Sequence, residues 1–316
     1  MRRQAEDGET GAARSRGSAV NVAIVQTKPR KGKYRENLHD LREVFAQVGS
    51  EPVDLIVLPE AALTGYFLEG AVYELAMDAP AFADDIAAAW LEANPKKDVD
   101  IVCGFYENSD GTYYNSAMYL QISNREAHIK HVHRKMFLPT YGVFDEERFL
   151  SRGRHLKTFD TRFGRMAMLI CEDSWHAIMP TIAAVKGARI LVIPSAAPGR
   201  GIEGGDELTS IVRWRAILES IAAEHGVFLL YAGLAGFEGG KGMTGSSRIV
   251  DPRGRTIVEA PPLGAHIIRA TLDLHEIDLA RATLPLLGDL NAVLPDLLLD
   301  EELPLPPMLR QPRDES

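Results

Sequence analysis

Short runs of strand-forming apolar residues alternate with stretches of helical periodicity through most of the chain. Val20-Asn-Val-Ala-Ile-Val25 predicts a buried strand, and Leu38, Leu41, Val44 and Phe45 recur at helical spacing within Tyr34 to Val48. Asp54-Leu-Ile-Val-Leu58 predicts a second strand, closed by Pro59-Glu60 and opened into a loop by Thr64-Gly65-Tyr66. A carboxylate therefore stands where a buried strand ends. An alanine-rich helix over Ala81 to Ala93 and a third strand over Asp100 to Tyr106 follow.

The middle of the chain changes period. Tyr114 to Ile122 and Glu126 to His133 alternate around Ser123-Asn124-Arg125, which predicts an antiparallel hairpin running into Arg134-Lys135. After a loop through Pro139 and Gly142, a short strand at Leu156 to Phe159 and a turn at Thr161 to Gly164 lead into Arg165-Met-Ala-Met-Leu-Ile170. That apolar run stops abruptly at Cys171, two carboxylates, Ser174 and Trp175. A helix at Ile178 to Lys186 and a strand at Ile190 to Ile193, ending in Pro194-Ser195, come next. Leu208 to His225 is the longest helical pattern, followed by a strand at Gly226 to Ala232. Ser246 to Gly254 and Arg255 to Glu259 predict another hairpin, with Ala265 to Leu272 beside it. From Leu284 onward Pro and Leu alternate with acids, which predicts an extended tail over 285–316 lying on the body or on a partner subunit.

Helices interspersed with buried strands and hairpins imply an α/β fold of mixed sheets with helices on their outer faces, and two stacked sheets would accommodate so many strands. Residues 1–18, rich in Arg, Glu, Asp, Gly and Ser, read as a disordered extension outside that fold. The formal net charge of -9 argues against a phosphate backbone as partner, so no nucleic acid is expected. No apolar run approaches the ~18 residues of a membrane span, so no membrane partner is expected either. Two cysteines and the lack of a secretory leader pattern point to a reducing, cytoplasmic setting.

Cys103, between Ile-Val and Gly-Phe, reads as core packing, whereas Cys171 is lifted from a strand into polar surroundings and is the candidate nucleophile. A thiol nucleophile needs a base for its proton and a cation for the oxyanion formed on attack. Glu60 and Lys135, each ending a strand, can supply them. Isolated charges at strand ends are usually solvated, so it is the combination that carries the reading. His131 and His133 share a strand face, but no further ligand cluster accompanies them and no metal is expected. Gly239-Gly240-Lys241-Gly242 fails the phosphate-loop pattern at both ends and reads as a flexible loop.

Ordered blocks give a further indication. Leu58-Pro59-Glu60 with Gly65-Tyr66, Arg134-Lys135 with Tyr141-Gly-Val-Phe144-Asp145-Glu146, and Ile170-Cys171-Glu172-Asp173 with Trp175 resemble the signatures of the nitrilase, or carbon–nitrogen hydrolase, superfamily. Met243 to Gly254 is similar to its late glycine-serine hairpin, and the likeness runs from about Val20 to Leu284, taken here as the domain 19–284. The resemblance implies a four-layer αββα sandwich, a homodimer or higher oligomer, and a cofactor-free reaction. It implies Glu60 as general base, Lys135 as oxyanion cation, Cys171 as nucleophile and Glu146 as the glutamate that positions Lys135. A nearby ammonium should then favour the thiolate of Cys171.

Cys-Glu-Asp-x-Trp looks most like the glutaminase-type domain of glutamine-dependent NAD synthetases, although the chain stands alone. By that likeness Tyr66, Tyr141, Glu172, Trp175 and Ser195 line the pocket. The expected activity is an amidase that cleaves a non-peptide C–N bond of a small amide or N-carbamoyl compound through a thioester, releasing ammonia. A nitrilase, an ammonia-supplying subunit of a separate synthetase, and a thioester-based acyl transferase are the alternatives. Arg200 is either a carboxylate-binding group or a solvated loop residue.

Overall fold

The computed structural model describes residues 19–201 and 207–299; the extension over 1–18 and the tail over 300–316 lie outside the described residues. The first half runs β1 (Ala19–Gln26), α1 (Tyr34–Gly49), β2 (Leu55–Val57), α2 (Val72–Leu75), α3 (Ala79–Ala93), β3 (Val99–Ser109), β4 (Thr112–Ser123) and β5 (Glu126–Arg134). The second runs β6 (Thr158–Thr161), β7 (Gly164–Met168), α4 (Ile178–Val185), β8 (Ile190–Ser195), α5 (Thr209–His225) and β9 (Phe228–Gly233). The remainder is β10 (Ala235–Glu238), β11 (Lys241–Thr244), β12 (Arg248–Val250), β13 (Thr256–Glu259), β14 (His266–Asp273), α6 (His275–Thr283) and α7 (Leu286–Leu298).

Two six-stranded mixed sheets result, ordered β14-β1-β2-β3-β4-β5 and β13-β12-β9-β8-β7-β6. The period-2 alternation of each strand explains why they stack. On β1, Val22 and Ile24 enter the core shared with Met166, Met168 and Leu191 of the second sheet. Ala23 and Val25 point the other way, into a core with Phe45 of α1 and Trp90 of α3. Trp214 and Leu218 of α5 and Ala183 of α4 cover the far side of the second sheet. The layers are therefore helix, sheet, sheet, helix, and both faces of the parallel strands are buried, as their continuous apolar sequences require.

Beside the β12–β13 hairpin, β14 completes the first sheet, pairing antiparallel with β1 from Ala19–Asp273 to Gln26–His266. Two expectations are corrected. The Gly-Gly-Lys-Gly segment is no loose loop, because β10 and β11 pair there around Gly239 and Gly240. Their φ values of +56° and +79° suit the two-residue hairpin turn that matches strand twist. The segment after Leu284 is not extended through its described part. Leu287, Leu290 and Leu294 recur at spacings of three and four and form the inner face of α7, with Pro295 tolerated in its final turns. Among the described residues, no helix is long and apolar enough to cross a membrane.

Candidate active site

The two sheets bring the ends of β2, β4, β5, β7 and β8 to one edge. Glu60 follows β2, and its backbone lies so close to β3 that a Cβ on Gly104 would come within 2.5 Å of Glu60 Cα and Pro59 O. Only glycine permits that approach. Lys135 follows β5, its N–H donating to Asn115 O at 2.8 Å. Lys135 Nζ donates to Glu60 Oε1 at 2.8 Å and to Glu146 Oε1 at 3.0 Å. Asn115 Nδ2 donates to the same two oxygens at 2.7 and 3.0 Å. Glu60 and Lys135 have no exposed surface.

Cys171 ends the run that continues β7 and opens a short 3₁₀ turn, Cys171–Trp175. Its φ of +46° is a left-handed conformation that costs a residue with a Cβ roughly 1–2 kcal/mol. The bend is held by Asp173 N–H donating to Ile170 O at 3.0 Å and Ser174 Oγ donating to Cys171 O at 2.7 Å. It sets the thiol, at the rim of the inter-sheet core, beside Lys135, Glu60 and the Ser195–Ala196 segment after β8. Glu60 is tied to that segment as well, because Ala196 N–H donates to Glu60 Oε2 at 2.6 Å.

Burial pushes the Glu60 carboxyl up to about 6; Lys135 pulls it back, and Glu146 adds to the rise. Burial alone would lower the Lys135 pKa, but Glu146, Glu60 and Cys171 together hold its ammonium well above the usual lysine range. The Cys171 thiol is raised by burial and by Glu60, against the pull of Lys135 and of hydrogen bonds from Ser195 and Ala196. Lys135 thus favours the thiolate, as expected, while desolvation and the adjacent carboxylate act against it.

Tyr66 Oη and Asn115 Oδ1 are buried here without a protein partner. Each such atom costs about 1–3 kcal/mol unless something else satisfies it. A cavity of about 330 Å³ opens on Cys171, lined also by Tyr141, Glu172, Trp175, Arg200 and Arg213. Tyr141 Oη donates to Glu172 Oε2 at 2.8 Å.

Of the residues expected to line the pocket, Tyr141, Glu172 and Trp175 do so. Tyr66 and Ser195 are buried. The Tyr66 ring lies 5.5 Å from Lys135 Nζ, and its loop is clasped by Glu238 Oε2, which accepts from Tyr66 N–H and Phe67 N–H at 2.9 and 3.0 Å. Arg200 packs on Phe144, 4.7 Å from its ring centre, at the cavity wall. His133 is paired with Asp173 at 2.9 Å, and among the described residues no group of three His, Cys, Asp or Glu side chains is arranged to hold a metal ion. Asn115, Asp173 and Arg213 had no role in the sequence reading.

Residues 21–282 match the family described as Carbon-nitrogen hydrolase. The chain belongs to that family. As a carbon-nitrogen hydrolase it is an enzyme acting on C–N bonds, with the nitrilase-type sandwich. It is 31% identical to the 2-oxoglutaramate amidase of Bacillus subtilis, over 85% of this chain and 97% of that protein. It is 26% identical to the glutamine-dependent NAD(+) synthetase of Thermotoga maritima, over 81% of this chain but 42% of that protein, so it spans less than half of such synthetases. A carbon-nitrogen hydrolase structure from Helicobacter pylori G27 superposes with a TM-score of 0.77 at 24% identity, covering 90% of this chain and 99% of that one, and shows the shared fold.

Proposed function

We propose that this carbon-nitrogen hydrolase is a cysteine-dependent amidase that releases ammonia from a small primary amide bearing a carboxylate. The observation that carries the chemistry is the buried Cys171 thiol on its strained turn, with a Glu60 carboxyl raised to about 6 and the Lys135 ammonium close by. As Cys171 Sγ attacks the amide carbon, its proton passes to Glu60, and the oxyanion that forms is met by the Lys135 ammonium. Collapse breaks the C–N bond, the leaving nitrogen takes the proton from Glu60, and ammonia departs from a thioester. Glu60 then removes a proton from water as the water attacks the thioester carbon. The carboxylic acid leaves, and the proton returns to Cys171.

The substrate class is supported by the cavity wall. Arg200 and Arg213 stand with Glu172 around Cys171, and among the described residues neither guanidinium has a carboxylate within 4.0 Å. Two cations facing one acid suit an anionic acyl portion, while Glu172 and Tyr141 suit a polar donor on the substrate. 2-Oxoglutaramate, named for the Bacillus relative, is an amide that carries a carboxylate. We also propose a homo-oligomer assembled through the exposed apolar residues of α7. Ammonia release measured across ω-amides, neutral amides, N-carbamoyl amino acids, nitriles and glutamine tests the assignment. Preferential turnover of carboxylate-bearing amides is expected, and full activity retained by Cys171→Ala would overturn the mechanism.

A further inference from the structure

Lys135 and Cys171 descend from strands of different sheets, so their separation is not set by any one hydrogen-bonded ladder. Apolar packing between sheets is non-directional and tolerates small slides. Besides Glu60, which accepts from Ala196 N–H, a second fully buried carboxylate crosses the gap. Asp173 Oδ1 accepts from Met136 N–H at 2.9 Å and Phe137 N–H at 3.0 Å, the two residues after Lys135. Asp173 Oδ2 accepts from Ile170 N–H at 3.0 Å, the residue before Cys171, and lies 2.9 Å from His133 Nε2, two residues before Lys135. Facing a carboxylate, His133 Nε2 carries the proton, and its Nδ1 has no partner.

The structure assigns Asp173 as a positioning residue that fixes the register between the lysine strand and the nucleophile turn, with His133 as its anchor. Both side chains are fully buried, and neither residue lines the cavity on Cys171, so they act through Lys135 and Cys171 and not on substrate. The carboxylate binds backbone just before the nucleophile's strained turn and just after Lys135. A slip of one sheet against the other therefore has to break charge-assisted hydrogen bonds. In Asp173→Asn an amide N–H₂ would meet the N–H of Ile170 or those of Met136 and Phe137, so one set of contacts is lost with little change of volume.

The inference rests on the Glu60-Lys135-Cys171 reading, which Cys171→Ala tests separately. Asp173→Asn, His133→Leu and His133→Gln are compared by kcat and KM. Rates are normalised to the Cys171 that iodoacetamide labels, with peptide mapping to separate it from Cys103. Misplacement of the thiol should lower kcat per labelled site in Asp173→Asn on the order of 10²-fold, with KM moving less than about threefold. His133→Leu should fall in the same sense, and His133→Gln, which keeps a donor, should recover most of the rate. A purely structural role predicts fewer labelled sites or a lower Tm with unchanged kcat per site, and that result overturns the assignment. Should Asp173→Asn not fold, the two His133 variants decide it, since equal rates in Leu and Gln would also overturn it.

Discussion

Lys135 Nζ lies 2.8 Å from Glu60 Oε1 with neither side chain exposed, so the base and the cation of the proposed reaction form one buried ion pair. Such a pair is costly to break from one side, because the remaining charge keeps its desolvation penalty without its partner. Lys135→Met leaves Glu60 and Glu146 facing each other, joined only through Asn115. Loss of activity and roughly 3–5 kcal/mol of stability at pH 8 are expected. Without the lysine, the Glu60 carboxyl is held still further above its unfolded value. The variant should therefore regain stability as pH falls and lose it as pH rises through the raised folded pKa. Denaturant melts at pH 5 and pH 8 check this, and an equal loss at both would contradict it.

Activity should depend on Glu60 in its charged form. With the carboxyl raised to about 6, kcat/KM should climb as pH rises through that value, since the protonated acid cannot take the Cys171 proton. Asn115 donates to Glu60 Oε1 and favours the carboxylate. Asn115→Leu should move the rising limb to higher pH. A pH-rate profile that stays in place would separate Asn115 from the base.

Glu60→Gln removes the base from both half-reactions while the amide can still accept from Lys135. Turnover should fall on the order of 10²–10⁴-fold. With a reactive ester or amide, intact-mass spectrometry should show the acyl mass on Cys171, because the water step lacks its base. An unmodified protein under these conditions would count against the thioester.

The layers and the three side chains proposed to react stood out because each leaves a local mark. Alternation on Val20 to Val25 marks a strand, and a thiol or carboxylate stands out where an apolar run stops, as at Cys171 and Glu60. What was hidden depends on partners remote in sequence. Asn115 gains meaning only when β4 lies between Glu60 and Glu146, and Asp173 only when the turn meets the backbone after Lys135. At Cys171 the sequence names the nearby ammonium, which favours the thiolate, but not the degree of burial, which opposes it. At α7, the prolines masked a helical spacing of leucines.

Arg200 and Arg213 should set acyl preference. Charge-assisted hydrogen bonds to a carboxylate contribute about 1.5–3 kcal/mol each. Arg213→Gln should therefore raise KM for a carboxylate-bearing amide roughly 10–100-fold. Its effect on a neutral amide of the same length should be slight. Arg200→Gln should act similarly while loosening the stack on Phe144. Equal losses on charged and neutral amides would remove the carboxylate from the proposal.

The outer surface of α7 supplies the last prediction. Val293, Leu297 and Leu298 are each about half exposed, and Leu299 at its end is 79% exposed. Leu279 and Leu284 lie just before the helix and Ile178 on α4, with α4, α5 and α6 packed beside α7. Exposed apolar side chains on neighbouring helices suit burial against a second copy. Charges placed there should oppose association without touching the core, because these side chains face outward. Val293→Glu with Leu297→Glu is expected to convert a dimer or larger species to monomer in sedimentation while far-UV circular dichroism stays unchanged. A wild-type chain that sediments as a monomer at working concentration would overturn the assembly. Trp175, at the cavity wall, is itself 39% exposed and packs on Trp214 of α5. If the interface reaches α5, the monomeric variant should also lose substrate affinity, which a KM measured alongside sedimentation would show.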